Sequence, residues 1–167
     1  LSRLLDQMLS RALVIHRSDS ARREPVDLRD IALDVFEDFS HRNVGKAPKL
    51  RLDIGDAPVI VMADTLSLTE AAKNLLSNAL DHGVAPITIG VSEDRLRGSL
   101  WVEDSGSGPS EAVRAKIGQR FAAGASGAGL GLSIARSVAE AFGGAMKLAN
   151  SDAGFVVSID LPMKDRK

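Results

Sequence analysis

The chain of 167 residues contains no cysteine. Disulfides and thiolate metal sites are therefore excluded, a composition that suits a reducing compartment. Net charge is nearly absent too: 21 Lys and Arg against 22 Asp and Glu leave −1 at pH 7, which offers no general attraction for nucleic acid or an anionic membrane surface. No apolar run approaches the roughly 20 residues that cross a bilayer, and the opening segment is broken too often by polar residues to be a signal peptide. Internal repeats and low-complexity tracts are missing as well. The first residue is Leu1 and not Met, which points to a piece of a longer protein.

What is present is ordinary for a globular domain. Hydrophobic residues make up 44% and charged residues 26%, in a length that holds one domain, a short appendage and a real core. Leu1, Leu5, Met8, Ala12 and Ile15 recur at alternating spacings of four and three, the seam of an amphipathic helix over residues 1–18. Residues 19–24 are polar and precede Pro25, which reads as a linker. A short strand over 26–28 leads into a helix over 28–39, marked by Ile31, Ala32, Val35, Phe36 and Phe39. Residues 50–54 alternate as a strand, and 58–63 form a second, more buried one. Asp64 is placed to cap a long helix reaching His82, with Leu68, Ala72, Leu75 and Ala79 on its core face and Gly83 as the C′ residue. Strands over 87–92 and 99–103 flank a polar turn at 93–98. A short helix over 109–117 and a small-residue stretch over 119–126 follow. A helix over 130–142, a Gly143-Gly144 turn and a hairpin of 146–149 with 155–161 close the chain. Helices on one face of a mixed sheet give a two-layer α/β sandwich, preceded by a helical stub.

Three patterns carry chemistry. Glu70, Asn74, Asn78 and His82 recur every four residues and so form one stripe along a helix. Two Asn on an otherwise apolar helix are costly to bury unless satisfied, so they either cap neighbouring backbone groups or face a ligand. Asp104-Ser105-Gly106-Ser107-Gly108 follows a strand. It is either an ordinary turn or a carboxylate acceptor followed by a backbone able to approach a ligand closely. Gly127-Ala128-Gly129-Leu130-Gly131-Leu132 opens a helix, whose free N–H groups and dipole suit a phosphate, although this signal is weak alone.

In order and spacing these stretches resemble the N, G1 and G2 boxes of the nucleotide-binding catalytic domain of sensor histidine kinases. The wider superfamily includes type II topoisomerase, chaperone and mismatch-repair ATPases. The resemblance covers residues 25–162, with a degraded F box, Ile117-Gly118-Gln119-Arg120-Phe121, between G1 and G2. It implies a Bergerat-type ATP-binding fold over 25–167, with residues 1–24 as the end of a dimerisation hairpin helix plus linker. It implies Mg²⁺-ATP as the ligand, with Asn78 as the protein ligand of the metal that bridges the phosphates. Asp104 would accept the adenine amine, while Gly106 and Gly108 pass close to the base and start a lid over 109–127. Arg120 would reach the γ-phosphate. His82, Gly127, Gly129, Leu130, Gly131 and Leu132 would complete the nucleotide site. Asn74 stands where the related ATPases place a water-activating Glu; a neutral amide cannot take a proton, so hydrolysis is expected to be slow. Glu70 is open between a site group and a solvated charge, and Arg114 and Lys116 are weaker candidates for phosphate contact.

The partners implied are ATP and ADP, the hairpin of the same kinase and the receiver domain of a response regulator. The parent is expected to be a homodimer that binds no nucleic acid, with this part a cytoplasmic domain of an inner-membrane sensor. The sequence also departs from the family pattern. Asp81 stands where Lys or Arg is usual, Gly118 replaces the first Phe of the F box, and Ala122-Ala123 replaces its aromatic tail. With Asp81, either lid cations take over the phosphate contact or affinity for ATP is weak, and the eroded F box is expected to leave the lid docked less firmly. His16, His41 and His82 all lack the His-acid-x-x-x-Pro setting of the phosphate acceptor, so the chain is expected to bind ATP without completing autophosphorylation. A degenerate nucleotide-binding module is the alternative that the departures favour. An anti-sigma-type serine kinase shares the boxes but not the helical stub, and a topoisomerase- or chaperone-type ATPase conflicts with Asn74.

Overall fold

The computed structural model describes residues 5, 8, 23–43, 45, 49–118 and 128–165. Leu5 and Met8 are helical and exposed; the rest of the expected helix over 1–18 lies outside the described residues. Strict alternation sets the main sheet. In β5 (Arg97–Asp104) every second residue from Gly98 is buried, and β7 (Phe155–Pro162) alternates in the same way. These strands pair antiparallel, Leu100 opposite Ile159 and Asp104 opposite Phe155. β4 (Ile87–Asp94) and β6 (Ala145–Asn150) flank them antiparallel, while β2 (Leu50–Asp53) adds to β4 in parallel, giving the order β2-β4-β5-β7-β6. This is the expected mixed sheet.

One face of the sheet is covered by α1 (Leu28–Arg42), α2 (Thr65–His82) and α4 (Ala128–Ala141). Between the layers lie Ile89, Leu100, Val102, Val157 and Ile159 from the strands and Ile31, Leu75, Leu76, Ile134 and Val138 from the helices, all nearly inaccessible to solvent. Each large apolar side chain in such a position contributes about 1.5–3 kcal/mol by burial. The caps agree with the sequence. Asp64 accepts from the Ser67 backbone N–H at 3.0 Å and from its hydroxyl at 2.7 Å, fixing where α2 begins. Asp27 caps α1 through the Arg29 N–H at 3.0 Å and also accepts from the Val59 N–H at 3.2 Å.

Two features differ from expectation. β1 (Glu24–Asp27) and β3 (Ile60–Ala63) do not join the main sheet but pair with each other antiparallel. β3 is held beyond the end of β7 by an antiparallel bridge from Val61 to Met163 and by the Lys164 N–H donating to the Ile60 carbonyl at 2.9 Å, and Gly98 makes room for the preceding Val59, since a Cβ there would sit 2.6 Å from Val59 Cγ1. The turn between β4 and β5 is also tighter than the six residues expected, because the strands stay paired out to Asp94 and Arg97. Arg95 takes φ 48° to make it. On the open face of the sheet Trp101 lies across Gly90, where a Cβ would come within 2.2 Å of the indole.

Candidate nucleotide site

Asp104 ends β5 next to Phe155 and is 7% exposed. Its Oδ1 accepts from the Gly106 N–H at 2.7 Å and the Val84 N–H at 3.3 Å. The segment after α2 is locked alongside, since the Ser105 N–H donates to the Val84 carbonyl at 2.8 Å. With Oδ1 committed to two backbone donors, the carboxylate is fixed in orientation and Oδ2 is left as its acceptor. The backbone is equally confined: a Cβ at Gly154 would lie 1.9 Å from the Asp104 carbonyl oxygen.

Gly83 ends α2 as expected but for another reason. Its φ of −88° is not the left-handed value of a C′ glycine, and its N–H donates to the Ala79 carbonyl at 2.8 Å. A Cβ there would stand 2.6 Å from that carbonyl and 2.7 Å from Asp104 Cγ. Glycine is needed for the close approach of Asp104, not for backbone freedom.

Asp104, Asn78, His82, Gly106, Gly108 and Leu132 all line one cavity of about 370 Å³. Its apolar walls include Val84 and Phe155, which the sequence did not mark, and Pro109, Val113 and Ile117 from the segment expected to begin the lid. The two Asn of the stripe differ. The Asn74 Nδ2 donates to the Glu70 carbonyl at 2.8 Å, and its Oδ1 lies 3.1 Å from the position a Cβ would take on Gly131. Asn74 therefore packs α2 onto α4 and is not among the cavity-lining residues. Asn78, a turn further on, has a side chain with no hydrogen-bond partner among the described residues. Glu70 approaches Lys73 at 3.9 Å, as a helix-surface charge would.

Glycines 129 and 131 lie within the first turn of α4, which starts at Ala128 and not at residue 130. Gly131 lets that turn sit against Asn74, so this glycine serves helix packing. Gly127 and Arg120 lie outside the described residues, as do the side chains of Lys116 and Leu130. Arg114, on α3 (Glu111–Gly118), is committed elsewhere than to a phosphate. Its guanidinium lies 4.9 Å over the Phe155 ring and bonds Asn150 Oδ1 at 2.6 Å. Among the described residues no group of three or more His, Cys, Asp or Glu could hold a metal by itself. An unpaired carboxamide oxygen at the cavity fits a hard cation that takes most of its remaining ligands from phosphates and water.

The family described as histidine kinase-, DNA gyrase B-, and HSP90-like ATPase matches residues 63–165. The chain belongs to this family. Among curated relatives, the sensor-type histidine kinase PrrB of Mycobacterium tuberculosis is 29% identical over 143 residues, covering 82% of this chain and 31% of the relative. The C4-dicarboxylate transport sensor protein DctB of Pseudomonas aeruginosa is 33% identical over 152 residues, covering 84% and 25%. The chain thus spans about a quarter to a third of the length of these relatives. The crystal structure of the ATP-binding domain of PrrB from M. tuberculosis superposes with a TM-score of 0.69 at 25% identity, covering 86% of this chain and 98% of that one. The fold and family are those of the ATP-binding catalytic domain of sensor histidine kinases. Among the described residues no helix is long and apolar enough to cross a membrane.

Proposed function

We propose that this domain binds Mg²⁺-ATP in the Asp104–Asn78 cavity and delivers its γ-phosphoryl group to a histidine on the dimerisation hairpin of the same kinase, for relay to an aspartate of a response regulator. The observation that carries the reading is the convergence of an oriented carboxylate and an unpartnered carboxamide on one cavity. Asp104 Oδ2 accepts the adenine amine and turns away a guanine carbonyl, which offers no donor there. Asn78 supplies an oxygen ligand for Mg²⁺, whose charge, when bound, offsets that of the phosphates during transfer. His82, Gly106, Gly108 and Leu132 complete the pocket around the nucleotide, and Gly127, Gly129, Leu130 and Gly131 bring the start of α4 to the phosphates. Asn74 contributes no base, so ATP is kept for the protein acceptor and not lost to water. Arg120 serves as the γ-phosphate donor. Residues 1–24 are the end of the hairpin helix and its linker, in a homodimeric parent that is an inner-membrane sensor with this domain in the cytoplasm.

The test is calorimetric titration of ATP and ADP, with and without Mg²⁺, on wild type and Asn78→Ala. Binding that requires Mg²⁺ and is lost in the variant is the expected result. Absence of binding at millimolar nucleotide would refute the reading and make Asp81 and the eroded F box marks of a module without kinase activity.

A further inference from the structure

The segment 107–110, which leaves Asp104 and enters α3, is pinned from outside the cavity by two side chains that bond each other. Asn150, the last residue of β6, donates from Nδ2 to the Ser107 carbonyl at 3.1 Å and accepts at Oδ1 from Arg114 Nη2 at 2.6 Å. Arg114 donates from Nε to the Pro109 carbonyl at 3.2 Å. Its guanidinium covers Phe155, whose side chain also lines the cavity. Gly108 lies between them at φ 78°, where a Cβ would meet the Phe155 ring at 2.6 Å and Arg114 Nη2 at 3.0 Å. Both carbonyls flanking Gly108 are thus held by one two-residue clamp, and Gly108 and Pro109 belong to the cavity wall.

We propose that Arg114 and Asn150 form a latch that positions the 107–110 segment for nucleotide, with Arg114 a positioning residue that touches no phosphate. The inference rests on the nucleotide reading of the cavity. Glycine and a polar turn leave this segment many conformations, and only the latched one keeps the wall next to Asp104. Apparent affinity falls in proportion to the fraction of molecules in the competent conformation. Losing a charge-assisted hydrogen bond and a cation–π contact, both partly solvated, lowers that fraction by about three- to tenfold.

The test compares wild type, Arg114→Leu, Asn150→Ala and the double variant, all at a temperature where each is fully folded. ADP affinity is read by calorimetry, and backbone amide exchange over 105–118 is read without nucleotide. Leu keeps an apolar cover on Phe155 while removing the Arg114 side-chain bonds to Pro109 and Asn150. Each single variant is expected to weaken ADP by about three- to tenfold, and the double variant no further than the weaker single, because either change opens the same latch. Exchange should rise in 105–118 and stay unchanged in α2 and β5. A purely structural role would lower the melting temperature while leaving the ADP affinity of the folded protein unchanged, and that result overturns the proposal. Multiplicative effects in the double variant overturn it too. If wild type binds no ADP, the nucleotide reading fails; the latch is then refuted separately if exchange over 105–118 is unaltered in the variants.

Discussion

Asp104→Asn separates the role of this carboxylate in the site from its role in the fold. In the wild type, Oδ1 accepts from Gly106 and Val84. An Asn side chain can keep its amide oxygen on those two N–H groups, so the backbone stays satisfied. The cost to stability is then limited to the difference between a charged and a neutral acceptor, about 1 kcal/mol. In a protein of this size that lowers the melting temperature by about 2–4 °C. The other arm changes sign as a hydrogen-bonding group: Oδ2 becomes an NH₂ donor and meets the adenine amine donor to donor. A hydrogen bond to a charged partner is worth about 1.5–3 kcal/mol, so ADP should bind about 10- to 100-fold more weakly. Calorimetry with ADP and GDP reads this directly, and thermal unfolding supplies the control. Asp104→Ala should behave differently, since it leaves two part-buried N–H groups without their acceptor, at up to about 1–3 kcal/mol each, and loses stability together with binding. An Asn variant that binds ADP within threefold of wild type would refute the assignment of Oδ2 as the adenine acceptor.

Gly83→Ala should lower both stability and ADP affinity, because its new methyl group collides with Asp104 Cγ and the Ala79 carbonyl while its φ of −88° is unstrained. Overpacking of this kind costs about 1–3 kcal/mol; a variant as stable as wild type with unchanged ADP binding would show that the approach of Asp104 is not needed. Asp27 governs part of the acid lability. Burial raises its carboxyl, but hydrogen bonds from the Arg29 side chain and from the Arg29 and Val59 N–H groups, with the Arg29 charge, outweigh this and hold it below the ordinary aspartate value. Its unfolded state takes up a proton at higher pH than its folded state, so the stabilisation is present above the unfolded value and disappears as pH falls through the folded one. Asp27→Asn should therefore cost about 1 kcal/mol at pH 7 and progressively less below pH 4, read by urea unfolding across that range. A constant difference at all pH values would refute it. Asp160 is also held low against burial, by Lys147, Ser99 and Ser158, so some acid lability remains in the variant.

The layers of this fold were legible because they rest on local pattern. Alternation around Leu100 and Val102, the helical spacing through Leu75 and Ala79, and the Asp64 cap are each decided within a few residues of sequence. The separate β1–β3 pair was not legible. Its partners are more than 30 residues apart, and its placement depends on Val59 fitting over a glycine on β5. Nor does composition distinguish a polar turn of six residues from one of two; continued pairing of Glu93 with Gly98 decides it.

At the site, polar residues in apolar settings were visible and apolar ones were not. Asn78 and Asp104 stood out because an amide or carboxylate on an apolar element calls for a partner, while Phe155 and Val113 carried no signal of their own and Ile117 entered only through the degraded F box, although all three wall the cavity. Helix periodicity alone could not divide the Asn pair, since both share one face, and only the family resemblance gave them different roles; the bond from Asn74 to the Glu70 carbonyl separates the packing residue from the one open to a ligand. Arg114 was the least legible, because an arginine looks the same in a sequence whether it is solvated, bound to phosphate or stacked on a ring. Its placement changes how the eroded F box is understood. Gly118 stands at the end of α3 where the family pattern has Phe, while Arg114 over Phe155 attaches the same helix one turn earlier, from a different side chain. Loss of the motif at one position and retention of an anchor at another are compatible, because what the cavity requires of α3 is that it be held and not which residue holds it.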